Sequence, residues 1–235
     1  MKKDNKIIEA CIVAAGLSIL GLSVKSGMDN FTNKDRKVTV KGLAEEEVNA
    51  DLVTWPIVSK EVGNDLPTLY TKINATNNSI KAFLVSNGVS EDEISINAPQ
   101  VIDLNADRWR NLNDHYYRYN ITSVITVTSN KVDLIRSIID RQGELLKEGI
   151  AIVEGDYDNS ITYEFVSFQE AKARMMEEAI KNAQVTANQF AESSHSKLGG
   201  IVSATQGQFS IESRDRNTPY IKKLRVVTTI TYALD

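Results

Sequence analysis

The chain has 235 residues, with 27 basic and 31 acidic side chains for a net charge of −4, and is 42% hydrophobic. That is the composition of an ordinary globular protein, with enough apolar residues for the core of one large domain or two small ones. Residues 1–25 hold four lysines, one aspartate and one glutamate, so the rest of the chain is net −6, a balance that repels nucleic acid and anionic lipid and excludes them as general partners.

Met1 to Lys6 is charged, and Ile7 to Val24 is apolar apart from Glu9, Ser18 and Ser23. A charged start followed by an apolar run reads as a secretory signal peptide or an uncleaved signal anchor, against the competing reading of a buried core helix. The uninterrupted part, Ala10 to Val24, spans about 15 residues, and Ile7 and Ile8 extend it to about 18. With no Ala-x-Ala cleavage pattern, the expectation is retention as an anchor through Ile7, Ile8, Ile12, Val13, Leu17, Ile19, Leu20 and Leu22. Lys2, Lys3 and Lys6 precede this run and only Lys25 follows closely, which favours an extracytoplasmic body. Cys11, the single cysteine, lies in the leader, so the body uses neither disulfides nor thiol chemistry.

Residues 26–35 are polar and read as a tether to a body spanning 36–235. Arg36 to Gly42 alternates as a strand, and Ala44 to Glu47 reads as an acidic turn. Val48 to Val62 predicts a longer strand with Val53, Trp55 and Ile57 on one face. Pro56 cannot donate to a ladder, so this strand belongs at an edge or is bulged there. Asn64 or Asp65 caps a helix with Pro67 in its first turn and Leu69, Ile73, Ile80 and Leu84 at helical spacing.

Two strands follow, Glu93 to Leu104 and Tyr116 to Thr128, then a helix with Leu134, Ile135, Ile138, Ile139 and Leu145, started by Asn130 and Asp133. Gly149 to Val153 and Ile161 to Val166 predict short extended segments around a turn. Phe168 to Ser193 is a long amphipathic helix with Ala171, Met175, Ala179, Ala183, Ala187, Phe190 and Ala191 on one side, a thin alanine face suited to lying close on a sheet. Gly199 or Gly200 can take the positive φ that ends a helix or opens the next strand. Gly200 to Ile211 and Lys222 to Leu234 close the chain as an antiparallel pair. The predicted class is α+β: helices packed on a largely antiparallel or mixed sheet, with an N-terminal hydrophobic anchor helix.

Val38-Thr39-Val40-Lys41-Gly42, the strand after Asn49-Ala50-Asp51, the Ala-rich helix from Glu170 and Lys197-Leu198-Gly199-Gly200-Ile201 together resemble the SIMPL-domain family of bacterial envelope proteins. The resemblance covers residues 36 to 235. Asn49-Ala50-Asp51 departs from it, standing where many relatives carry a Pro-Asp pair. The resemblance implies a periplasmic or membrane-associated protein, so with the apolar leader the expected location is the inner membrane, facing the periplasm or the exterior, or the periplasm if the leader is cut. Some relatives are called oxidative stress defence proteins or outer-membrane antigens, and at least one kind looks like a large ring or channel-like homo-oligomer.

Chemistry-bearing residues are sparse. His115 and His195 are the two histidines, and neither has a histidine or cysteine at metal-ligand spacing. Asp156, Asp158 and Asn159 lack the glycine and distal glutamate of a calcium loop. Asp103, Asp107 and Asp114 have no spacing that brings them together, and no nucleophile elbow, phosphate loop or zinc-protease motif occurs. The reading is a non-enzyme with no metal and no cofactor. Arg108, Trp109, Arg110, Tyr116 and Arg118, with Trp55, form the candidate interface, since arginine and aromatic residues concentrate in interface cores. The expected function is a membrane-anchored scaffold that self-associates into a ring-like homo-oligomer. The alternative is a periplasmic binding module for an envelope protein or small ligand, linked to stress defence.

Overall fold

The computed structural model describes residues 13–25, 27, 36–106, 117–153 and 159–235. Residues 13–25 are helical (α1). The elements that follow are β1 (Lys37–Asn49), β2 (Leu52–Gly63), α2 (Leu66–Ser86), β3 (Ile94–Ile96), β4 (Gln100–Asp103), β5 (Tyr119–Ser129), α3 (Val132–Asp140), α4 (Gly143–Lys147), β6 (Ile152–Val153), β7 (Thr162–Glu164), α5 (Phe168–Ser193), β8 (Leu198–Ser213) and β9 (Ile221–Leu234). The fold is the expected mixed α+β class.

The anchor helix is corrected. Among the described residues no helix is long and apolar enough to cross a membrane; a bilayer core needs about 20 helical residues, more than the described length of α1. Ile7, Ile8 and Ile12 lie outside the described residues, while Val13, Leu17, Ile19, Leu20 and Leu22 are exposed on α1. The membrane as a partner, the inner-membrane location and the membrane attachment of the expected ring rested on that helix and are not supported among the described residues. The predicted tether, apart from Gly27, is also outside the described residues.

The chain forms two compact units, one of residues up to Glu46 with Gln169–Ser210 and Leu224–Asp235, the other of Glu47–Phe168 with Ile211–Lys223. In the first unit the sheet order is β1-β9-β8. Ala171, Met175, Ala179, Ala183, Ala187 and Ala191 are the buried stripe of α5, and its last three alanines pack with Val38, Val40, Ile230, Tyr232 and Leu234. Phe190 stands off the stripe, 53% exposed. The small side chains bring the helix backbone so near β1 that a Cβ on Gly42 would lie 1.8 Å from the Ala179 carbonyl oxygen. Only glycine fits there. After α5 the positive φ belongs to His195, at 52°, instead of Gly199 or Gly200, which lie in β8.

Glu45, Glu46 and Glu47 continue β1 where a turn was expected, and each carboxylate meets an arginine. Arg225 lies 3.6 Å from Glu45, Arg174 is 2.7 Å from Glu46 and Arg214 is 3.4 Å from Glu47.

The second unit holds a six-stranded sheet in order β3-β5-β2-β6, with β4 also pairing β5 and β7 also pairing β2. Every one of these pairings is antiparallel. Along β2 and β5 the odd-numbered residues share one face, as the two-residue period demands. Trp55 sits opposite Val127, Ile57 opposite Ile125 and Ser59 opposite Ser123. Two apolar clusters flank the serine rung: Leu69, Ile73 and Ile121 on one side, and Ile80, Leu84, Trp55, Ile57 and Ile125 with the buried face of α3 on the other. Between them Asn77 of α2 donates its amide to Ser123 Oγ at 3.0 Å, both residues buried.

Local chemistry explains where these elements begin and break. Asp65 caps α2, accepting from the Thr68 N–H at 3.1 Å, with Pro67 in the first turn. Glu93 to Leu104, expected as one strand, divides into β3 and β4 around Pro99, which has no N–H to donate. The helix expected after Asn130 is two, α3 and α4, and its N-cap residue is Lys131, with no side-chain cap bond.

Asp51 organises the corner between β1 and β2. Its carboxylate accepts from the backbone N–H of Val166 at 2.6 Å and of Ser167 at 2.8 Å, just ahead of α5. Burial alone pushes this carboxyl up, but the hydrogen bonds from Ser167 and Val166 outweigh it and hold it below its ordinary 3.8. Asp51→Asn is expected to lower stability by about 1–2 kcal/mol at neutral pH. Because the folded pKa is depressed, that advantage is present above 3.8 and is lost as the pH falls through the folded value. Urea midpoints of the two proteins should therefore converge in strong acid. A constant gap at every pH would show that the ionised carboxylate is not the cause.

Candidate functional site

The second unit carries a cleft of about 810 Å³ beside β2. It forms because β2 is paired on that side by β7 at Leu52 to Thr54 and by β6 at Val58 and Ser59, leaving Trp55 to Ile57 between them. Pro56 lies in this interruption, so the proline is accommodated in a strand with partners on both sides instead of at an outer edge. Trp55 and Pro56 of β2 and Ile152 and Val153 of the paired β6 line the cleft. Ile139 and Asp140 at the end of α3, Gln142, Gly143 and Leu146 also line it, and Asn159 to Ile161 complete the lining among the described residues. The size is typical of small-ligand sites.

The electrostatics of this cleft are one-sided. Asp140 is the single charged side chain in the described lining, and no hydrogen bond or ion pair to its carboxylate is found among the described residues. The nearby arginines are engaged elsewhere. Arg136 stacks 3.4 Å from the centre of the Tyr220 ring and reaches Asp133 at 3.3 Å. Arg141 binds Glu144 at 2.9 Å and the Asn87 side chain at 2.7 Å. The Tyr163 phenol, edge-on to Tyr220, is pushed up by burial, with Arg136 opposing and Asp140 adding to the rise.

The first unit presents a different surface, the outer edge of β8. This strand ends the sheet order and is 16 residues long. Gly200 to Gln208 are all exposed, and the adjacent Ile201 and Val202, whose side chains point to opposite faces, are 58% and 49% exposed. From Leu198 to Ile211 there is no charged residue and no proline. Sheet edges are ordinarily blunted by such residues, because a bare row of N–H and C=O groups is a template for another strand.

Of the interface residues expected from sequence, Arg108, Trp109, Arg110 and Tyr116 lie outside the described residues. Trp55 is 2% exposed, a core residue that also belongs to the cleft lining. Arg118 is engaged within its own unit. It binds Asp103 at 2.8 Å, its N–H donates to Asn64 at 2.8 Å, and its guanidinium lies 4.8 Å from the centre of the Tyr119 ring. The Arg118 hydrogen bond holds Asp103 below the usual carboxylate range.

His115, Asp107, Asp114, Asp156 and Asp158 fall outside the described residues, and His195 occupies the exposed turn after α5. Among the described residues no group of three or more histidine, cysteine or acidic side chains is placed to hold a metal ion. One contact that sequence spacing did not reveal is Lys222 Nζ to Ser213 Oγ at 2.8 Å, with the lysine buried. Burial pushes its ammonium below the ordinary value, and Glu164 opposes that. Neither residue lines the cleft beside β2.

With this geometry in place, comparison with known families gives a match to SIMPL, described as a protein of unknown function (DUF541), over residues 38–228. The chain belongs to that family. The match takes in β2, β5, the cleft and all of β8. Comparison with curated proteins finds no match.

Proposed function

We propose that the chain is a binding module, with no bond-making of its own, that takes up an extended and uncharged segment of a partner polypeptide along the outer edge of β8. The observation that carries this reading is the edge itself: a 16-residue terminal strand whose central run is free of charge and proline and exposed on both faces. Strand addition draws affinity from main-chain hydrogen bonds and selectivity from alternate side chains. Ile201 and Val202 offer apolar contact on either face, while Ser203, Thr205, Gln206 and Gln208 add uncharged polar groups. An incoming charged strand would find no opposite charge along this run. The envelope and stress-defence setting implied by the family resemblance accords with a role in holding another protein.

A photo-cross-linking residue at Ile201 or Ser203, placed in the full-length chain in cells, is expected to give one dominant adduct with a different polypeptide. The same group at Lys172, on α5, should not. Thr205→Lys is expected to remove the adduct while leaving the unfolding midpoint within experimental scatter. Adducts with further copies of this chain, or none at all, would sink the reading.

A further inference from the structure

We infer that the cleft beside β2 is a binding site for small organic cations, an amine or ammonium group carried on an apolar body. The inference does not rest on strand pairing at β8. Its shape argument is the volume of about 810 Å³ together with the lining. Trp55, Ile139, Leu146 and Ile161 provide apolar contact, and Leu146 is 58% exposed, at a cost in hydration that a ligand's apolar body would relieve.

The charge argument is that the described lining holds one carboxylate and no cation. Arg136 lies one turn before Asp140 on α3, at a spacing suited to an ion pair, yet it is held by Tyr220 and Asp133. Arg141, the next residue in the chain, is held by Glu144 and Asn87. An anion entering the cleft would meet the Asp140 charge without a compensating partner. A neutral ligand would gain only the apolar contact. A cation gains both, and Gln142 and Ser160 add uncharged polar groups to the lining.

Three probes of nearly the same shape separate these cases: phenethylamine, 2-phenylethanol and phenylacetate. Titrated into the full-length protein, with binding followed by NMR at the Trp55 indole N–H and assigned by comparison with Trp109→Phe, the amine is expected to bind about threefold to fivefold tighter than the alcohol, the scale of one solvent-accessible ion pair. Phenylacetate should bind weakest. Asp140→Asn should bring the amine to the level of the alcohol and leave the alcohol unchanged. Asp140 is exposed, so this variant should fold, and Leu146→Ser provides a second test by weakening all three probes together. Equal affinity for amine and carboxylate, a preference that survives Asp140→Asn, or no shift with any probe would each overturn the inference. None of these outcomes bears on the β8 cross-link.

Discussion

Gly42→Ala is expected to be among the most damaging substitutions in the chain, although it adds one methyl group. The new Cβ would lie 1.8 Å from the Ala179 carbonyl oxygen, 2.7 Å from the Ala183 nitrogen and 2.8 Å from the Ala183 Cβ. Two of these neighbours are helix backbone, which no rotamer change can move aside. Relief requires α5 to lift from β1, opening the seam that Val38, Val40, Ala183 and Ala187 close. Overpacking of a well-filled core costs about 1–3 kcal/mol, occasionally more, and the rigidity of the obstacle places this case at or above the upper end. Urea unfolding would measure it. Ala183→Gly added to Gly42→Ala removes the Cβ contact and leaves the carbonyl in the way, so the double variant should recover little. A midpoint equal to that of the parent protein would mean that strand and helix are not so close.

Trp55→Ala should cost about 3–5 kcal/mol, the range for removing a buried aromatic ring. The side chain is 2% exposed and belongs to the cluster formed with Ile57, Ile125, Val127, Ile135 and Ile138. Trp55→Phe keeps much of that contact and should be milder. The pair of variants also separates two roles, because a residue used only at an exposed interface would show a loss of binding with an unchanged unfolding midpoint. Denaturation curves of both proteins give the answer directly.

Much of this architecture was legible because it follows from short-range rules. Leu69, Ile73, Ile80 and Leu84 marked α2, Asp65 and Pro67 marked its start, and the alanine stripe of α5 pointed to a helix lying close on a sheet. Where the reading missed, long-range contacts decided. Glu45, Glu46 and Glu47 look like a turn until Arg225, Arg174 and Arg214 are brought to them across the fold. Likewise Pro56 signals an edge, but its place in the gap between β6 and β7 depends on where two distant short strands dock. The cleft was illegible for the same reason, since Trp55, Asp140 and Ile161 are far apart in sequence. The β8 edge left a signal that could have been used: a long uncharged run in a chain of which 25% is charged.

The Asn77–Ser123 hydrogen bond beneath α2 also works as an indexing pin. If β2 slid past β5 by one position, one hydroxyl would turn to the opposite face of the sheet and the Asn77 amide would lose its acceptor. A slide of two positions keeps the face but sets Ile121 or Ile125 where Ser123 stands, which leaves the buried Asn77 amide without its acceptor. Aliphatic rows alone would tolerate either slip far better. The Asn77–Ser123 contact therefore favours one alignment over several greasy near-equivalents, and with it the placement of the β2 residues that border the cleft.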